Sequence, residues 1–258
     1  MFIFLSISVA VLALLWFGQR KLIYFPTHHP GPVPTGMSEV SFETSDGLRL
    51  AGWLAPPALP EHSNGMGVLV ANGNGGDRSH RVPLAHALNR FGFTVLLFDY
   101  RGYGGNPGSP SESGLFKDIR GAFRYLESLF ESRKIILFGE SLGSAVVTDL
   151  ATEHTVGGLV LRSPFTDLAS VGAGHYPVLP VRLLLRDRFP LLDKISAVKS
   201  PIAVVYGTAD SVVPPSHSAE VARKAGVTPV VVEGADHNDR ILLDGPPVIN
   251  AILGLAGR

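Results

Sequence analysis

The sequence contains no cysteine. That absence excludes disulfides, thiolate metal sites and a cysteine nucleophile together, and it leaves the compartment open, because a cysteine-free chain folds on either side of a membrane. There is no excess of either charge: 22 Lys and Arg balance 22 Asp and Glu. A basic stripe able to neutralise phosphates is therefore missing, and nucleic acid is not an expected partner. No internal repeat or low-complexity tract is present, which excludes solenoids. HExxH, EF-hand and clustered His/carboxylate spacings are absent, so no metal is expected. The glycine-rich stretch Asn72 to Asp77 lacks the Lys-Ser/Thr ending of a P-loop and the third glycine of a dinucleotide fingerprint, so no cofactor is expected either.

One long apolar run is present. From Phe2 to Phe17 only Ser6 and Ser8 are polar. As a helix this run would measure roughly 24 Å against a hydrocarbon thickness of ~30 Å, enough to span only if Leu22, Ile23, Tyr24 and Phe25 sit in the interface. Arg20 and Lys21 would then snorkel toward headgroups. No basic region precedes the run and no small-x-small cleavage site follows it, which favours an anchor over a signal peptide. The sequence thus predicts a single-pass membrane anchor over residues 1–25 with membrane lipid as its partner, a plasma-membrane location, and the folded domain on the cytoplasmic side because the charges follow the run. Residues 26–37, rich in Pro, Gly and His, read as a linker, and residues 38–258 as one folded domain.

At 258 residues with 45% hydrophobic and 17% charged residues, the chain can bury one large core. Val40 to Thr44 and Leu48 to Leu54 alternate around the turn residues Asp46 and Gly47, which predicts an antiparallel hairpin. Continuous apolar runs follow at Met66 to Ala71, Thr94 to Phe98, Ile135 to Phe138, Gly158 to Leu161, Ile202 to Tyr206 and Pro229 to Val232. Such runs suit parallel strands covered on both faces. Helical patterns separate them, the clearest from Ser113 to about Glu131. The expected fold is α/β, about eight mostly parallel strands with helices on both faces. A proline-rich segment at about 163–201 reads as a small cap.

Gly139-Glu140-Ser141-Leu142-Gly143 lies directly between a buried strand and a helical stretch. A serine presented above a sheet must occupy a sharp strand-to-helix turn, where only small residues two positions to either side avoid the neighbouring backbone. The hydroxyl needs a base and an orienting acid, and both follow in order. Asp210 ends the strand Ile202 to Tyr206, and His237 follows the last strand, so both fall at the carboxyl edge where α/β sheets build their sites. Among nine histidines, His28 and His29 lie in the linker, and His80, His86 and His217 in helices. Asp236 adjoins His237 too closely to orient its ring, and Asp99 reads as buttressing a turn with Arg101. For the oxyanion hole the backbone N–H of Leu142 is one expected donor, and the loop after the first long strand supplies the other, at Asn74.

Taken together, these residues resemble the α/β-hydrolase superfamily, and within it the membrane-anchored α/β-hydrolase-domain serine hydrolases, themselves similar to prolyl-oligopeptidase-like hydrolases. The resemblance covers nearly the whole chain. It rests on the Gly73-Asn74 loop, Asp99-Tyr100-Arg101-Gly102-Tyr103-Gly104, the GESLG elbow, Ser163-Pro164-Phe165-Thr166, Asp210 with Val213-Pro214-Pro215, and His237-Asn238-Asp239. Asn72 stands where the family usually carries histidine. The resemblance implies ester or thioester hydrolysis with Ser141, Asp210 and His237 as catalytic residues, and substrate contacts from Tyr103 and Phe165. Lipids, acyl groups or acylated proteins are the expected substrates. A serine peptidase or amidase on the same residues, and a non-catalytic scaffold, are the alternative readings.

Overall fold

The computed structural model describes residues 14–257. In chain order its strands are β1 (Phe25–Pro26), β2 (Ser38–Glu43), β3 (Arg49–Ala55), β4 (Gly67–Ala71), β5 (Gly75–Gly76), β6 (Thr94–Phe98), β7 (Ile135–Glu140), β8 (Gly158–Arg162), β9 (Ile202–Gly207) and β10 (Val230–Val232). Helix α1 occupies residues 14–23 of the described chain. It is followed by α2 (Val82–Asn89), α3 (Glu112–Glu127), α4 (Leu142–Ala151), α5 (Leu168–His175), α6 (Val181–Leu184), α7 (Leu191–Lys194), α8 (Pro215–Ala225) and α9 (Pro246–Ala256).

Eight strands form one sheet in the order β10-β9-β8-β7-β4-β6-β3-β2. Its pairings from β10 through β6 are parallel, and only the β2–β3 hairpin and its junction with β6 run antiparallel. The central strands β4, β6, β7 and β8 are buried along their whole length, which explains why their sequences show no alternation. One face packs Leu115, Ile119 and Phe123 of α3 and Val146 and Leu150 of α4, and the other packs Leu84 and Leu88 of α2 and Val248 and Ile252 of α9. Helix α3 begins where Ser111 accepts the Gly114 N–H at 3.1 Å, two residues before the expected start. The cap expected at about 163–201 carries the short helices α5, α6 and α7.

The expected membrane anchor, and with it the membrane location, is not upheld. Among the described residues no helix is long and apolar enough to cross a membrane. Most of the Phe2 to Phe17 run lies at residues 1–13, outside the described residues. In the part that is described, Leu14, Trp16, Phe17 and Leu22 are exposed, while Gln19, Arg20, Ile23 and Tyr24 are engaged with protein. Ile23 and Tyr24, expected at a lipid interface, belong to the core. Arg20, expected to reach headgroups, instead pairs with Asp187 at 2.9 Å, and Tyr24 donates its hydroxyl proton to the same carboxylate at 3.0 Å. Gln19 donates to the Leu184 carbonyl at 3.1 Å and accepts the Arg186 N–H at 2.7 Å. Within the stretch expected as a linker, Pro26 is the second residue of β1, which pairs in parallel with β5, Phe25 opposite Gly75 and Pro26 opposite Gly76.

The fully buried Phe98 ring on β6 meets Phe42 and Tyr100 edge-on, with centroids 6.1 and 5.2 Å away. Replacing it with Ala should cost about 3–5 kcal/mol. Urea unfolding of Phe98→Ala at neutral pH measures this, and a loss under about 1 kcal/mol would contradict the packing described.

Candidate functional site

The β7-to-α4 connection is a one-residue turn. Ser141 holds φ 51° and ψ −113°, a region an L-residue enters only under constraint. The constraint is visible in the two flanking glycines. A Cβ on Gly139 would lie 2.6 Å from the Gly143 carbonyl oxygen and from the Ser144 Cα, and a Cβ on Gly143 would lie 2.1 Å from the Ala71 oxygen. Neither position tolerates a side chain without moving backbone. The Ser141 N–H donates to the Arg162 carbonyl at 2.8 Å, locking the turn to β8. Helix α4, buried throughout, directs its free N-terminal N–H groups at the space above Ser141.

His237 and Asp210 meet across the loops after β10 and β9. The imidazole Nδ1 lies 2.9 and 2.8 Å from the two Asp210 carboxylate oxygens, and both side chains are buried. Asp210 Oδ1 also accepts the N–H groups of Val212 at 3.0 Å and Val213 at 2.7 Å. Burial pushes the Asp210 carboxyl up, but His237 and those two N–H groups outweigh it and hold it below its ordinary value. Asp236 makes no bond to the His237 ring; its carboxylate accepts the His237 backbone N–H at 2.7 Å and the Ser211 N–H and hydroxyl. His237 Nε2 has no hydrogen-bond partner among the described residues. His217, set aside on position, bonds to the Thr166 hydroxyl at 2.8 Å.

Ser141, Leu142, Asn74 and Phe165 all line one cavity of about 470 Å³, walled by residues of α1 and the cap such as Leu15, Leu22, Val171 and Leu184. The backbone N–H groups of Asn74 and Leu142 have no acceptor among the described residues. Tyr103 differs from expectation. It is buried outside the cavity lining, and its hydroxyl donates to the Asn74 carbonyl at 2.7 Å. It supports the loop from behind. Asn72 donates through Nδ2 to the Phe98 carbonyl and the Asp99 carboxylate at 3.2 and 3.3 Å. Asp99 buttresses a turn as expected, but its partner is Arg78 at 2.5 Å, not Arg101, which pairs with Asp118 and Asp46. Burial raises the Asp99 carboxyl to about 6 despite that partner.

Sequence reasoning missed a charge cluster beneath the elbow. Glu140, the residue before Ser141, is buried and accepts from Arg81 Nε and Nη2 at 3.1 and 2.5 Å, with Arg162 Nη1 at 3.9 Å. Burial alone would raise its carboxyl, but the two guanidinium groups lower it to about 2. The available signal was a glutamate closing an otherwise apolar strand that is buried along its whole length.

With this geometry in view, the comparisons are consistent. Residues 65–190 match the family described as serine aminopeptidase, S33. An uncharacterized protein of Mycobacterium tuberculosis, Rv2307c, is 48% identical over 258 residues, covering 95% of this chain and 90% of the relative. The α/β-hydrolase domain-containing protein WAV2 of Arabidopsis thaliana is 30% identical over 248 residues, covering 85% and 80%. Among solved structures, the Pyrococcus furiosus esterase Pf2001 superposes with a TM-score of 0.72 at 19% identity, covering 92% of this chain and 97% of that one. A Mycobacterium tuberculosis puromycin-hydrolyzing peptidase gives 0.69 at 18% identity, covering 86% and 39%. The fold and the elbow define an α/β hydrolase. The chain belongs to the α/β-hydrolase superfamily.

Glu140→Gln would remove the carboxylate paired with Arg81 and nearest to Arg162, at an expected cost of about 3–5 kcal/mol at pH 7. Because the native carboxyl sits at about 2 against an ordinary 4.5, its contribution is complete above about pH 4.5 and is lost as pH falls toward 2. The gap between wild type and variant in urea unfolding should therefore narrow steadily below pH 4.5. Equal stability at pH 7 would contradict the role given to this cluster.

Proposed function

We propose that the chain is a serine hydrolase that cleaves carboxylic ester or thioester bonds of acyl-bearing substrates through an acyl-enzyme. The observation that carries this reading is the bond between His237 Nδ1 and Asp210 at the same sheet edge as the strained Ser141. In this reading Asp210 fixes the imidazole with its proton on Nδ1, which leaves Nε2 basic. Ser141 Oγ attacks the substrate carbonyl carbon as Nε2 takes the hydroxyl proton. The carbonyl oxygen becomes an oxyanion, received by the N–H groups of Leu142 and Asn74 at the positive end of α4. Collapse breaks the bond to the alcohol or thiol, which departs with the proton from His237. Water, deprotonated by the same nitrogen, then attacks the acyl-serine and returns Ser141 and the free acid.

Phe165 lines the cavity at about 470 Å³ together with largely aliphatic residues, which supports an apolar acyl group as the part of the substrate that is bound. A second reading, aminopeptidase chemistry, is favoured by the description of the matching family. It requires an acidic side chain to hold the substrate's ammonium group. Among the described residues lining the cavity none is acidic, which supports the ester reading over it.

A fluorophosphonate probe should label the wild-type protein and fail to label Ser141→Ala. Hydrolysis of p-nitrophenyl butyrate should fall by on the order of 10³- to 10⁴-fold in Asp210→Asn, the loss that follows from a wrongly held tautomer. Equal labelling of Ser141→Ala would overturn the proposal, and faster turnover of aminoacyl amides than of acyl esters would favour the peptidase reading.

A further inference from the structure

The loop that carries the Asn74 N–H has little with which to hold itself. Its sequence is Asn72-Gly73-Asn74-Gly75-Gly76-Asp77, so three of its residues have no side chain, and Gly76 sits at φ 83°. An oxyanion donor must nevertheless stand within a few tenths of an ångström of its place, about 2.7–3.1 Å from the oxygen. The fixation comes through Asn74 itself. Its Nδ2 donates to the Ile23 carbonyl at 2.8 Å. Its own carbonyl accepts the Phe25 N–H at 2.8 Å and the Tyr103 hydroxyl at 2.7 Å. The side-chain Nδ2 and the backbone carbonyl of Asn74 are thus committed to protein, whereas Oδ1 and the backbone N–H have no partner among the described residues, and Asn74 lines the cavity.

Two of those three partners are Ile23, the last residue of α1, and Phe25 just after it, and α1 is not a loose appendage. Arg20 and Tyr24 converge on Asp187, and Gln19 is bonded to the backbone at 184 and 186. Leu15, Leu22 and Ile23 of the same helix form a wall of the cavity. One segment therefore braces the oxyanion loop and also bounds the space for the acyl group.

We propose that Asn74 is a positioning residue whose carboxamide docks the oxyanion loop onto Ile23, and that residues 19–26 are thereby a working part of the active site. This rests on the hydrolase reading above. The backbone N–H performs the stabilisation, and the side chain, with Phe25 and Tyr103, sets where that N–H stands. Loss of the dock leaves the donor present but displaced, so the transition state suffers more than the bound ester.

The test uses the full chain and p-nitrophenyl butyrate. Asn74→Asp keeps the shape and the backbone N–H but sets an oxygen against the Ile23 carbonyl. It should lower kcat by about 10- to 100-fold with KM within about 3-fold, a part of the 10²- to 10³-fold that a lost donor costs. Binding of a trifluoromethyl ketone, which mimics the tetrahedral state, should weaken by the same factor as kcat. Tyr103→Phe, which removes one of two donors to the Asn74 carbonyl, should show the same pattern at about 3- to 10-fold, and it decides the matter if Asn74→Asp does not fold. Wild-type kcat in whichever variant folds, or a loss confined to KM, would overturn the dock while leaving the hydrolase reading intact. Wild-type protein that hydrolyses no ester and takes up no fluorophosphonate would instead remove the hydrolase reading on which the dock rests.

Discussion

Ser141 is held in a backbone conformation that costs an L-residue about 1–3 kcal/mol, and much of the central sheet is arranged to keep it there. The turn closes only because Gly139 and Gly143 let α4 approach β7 and β4 to within a distance that excludes any Cβ. That approach in turn requires α4 to be buried on every side, which it is. The consequence is chemical as much as structural. A serine on an ordinary turn would be free to hydrogen-bond locally, whereas this hydroxyl finds no protein partner among the described residues and faces a cavity. The helix that starts immediately after it brings unsatisfied N–H groups to the same point.

Beneath the elbow the fold accepts a second cost. Glu140 is taken out of water between Arg81 and Arg162, an arrangement that gains little over apolar packing but becomes strongly unfavourable if one member is lost. It joins the segment before α2 to the ends of β7 and β8, so the turn carrying Ser141 is tied to the elements on both sides of it. The Arg78–Asp99 pair does the same for the end of β6. A Cβ at Gly104 would lie 1.9 Å from the Asp99 carboxylate, which accounts for the glycine in the Tyr103-Gly104 step at a φ of 54°.

Most of the sheet was legible in the sequence because buried parallel strands announce themselves as apolar runs: the expected Thr94 to Phe98 matches β6 end to end, and the others differ by one or two residues at their ends. The elbow was legible for the same reason, since strand, small-x-Ser-x-small and helix are local. Asp210 and His237 followed from chain order and from the loops that end strands, and the two side chains are hydrogen-bonded. What could not be read was tertiary. Nothing in Arg20 reveals that its partner is Asp187, 167 residues away, so an apolar run followed by two basic residues looked like a membrane boundary, although Gln19, Arg20, Ile23 and Tyr24 just after it are held by protein. Pro26 looked like part of a tether because proline lacks an N–H, yet β1 pairs through Phe25 and through carbonyls. Tyr103 was implied as a substrate contact by its motif, whereas its hydroxyl donates to the Asn74 carbonyl.

Residues of α1, of the segment 163–201 and of the elbow thus line one cavity, with Asn74 and Leu142 among them. The measurement that tests this account most directly is a crystal structure of the protein after reaction with an alkyl phosphonate ester. The account predicts phosphorus bonded to Ser141 Oγ, a phosphoryl oxygen about 2.7–3.1 Å from the N–H groups of Asn74 and Leu142, and the alkyl chain lying between α1 and the cap. Phosphorus on another residue, or a phosphoryl oxygen turned away from both N–H groups, would contradict it.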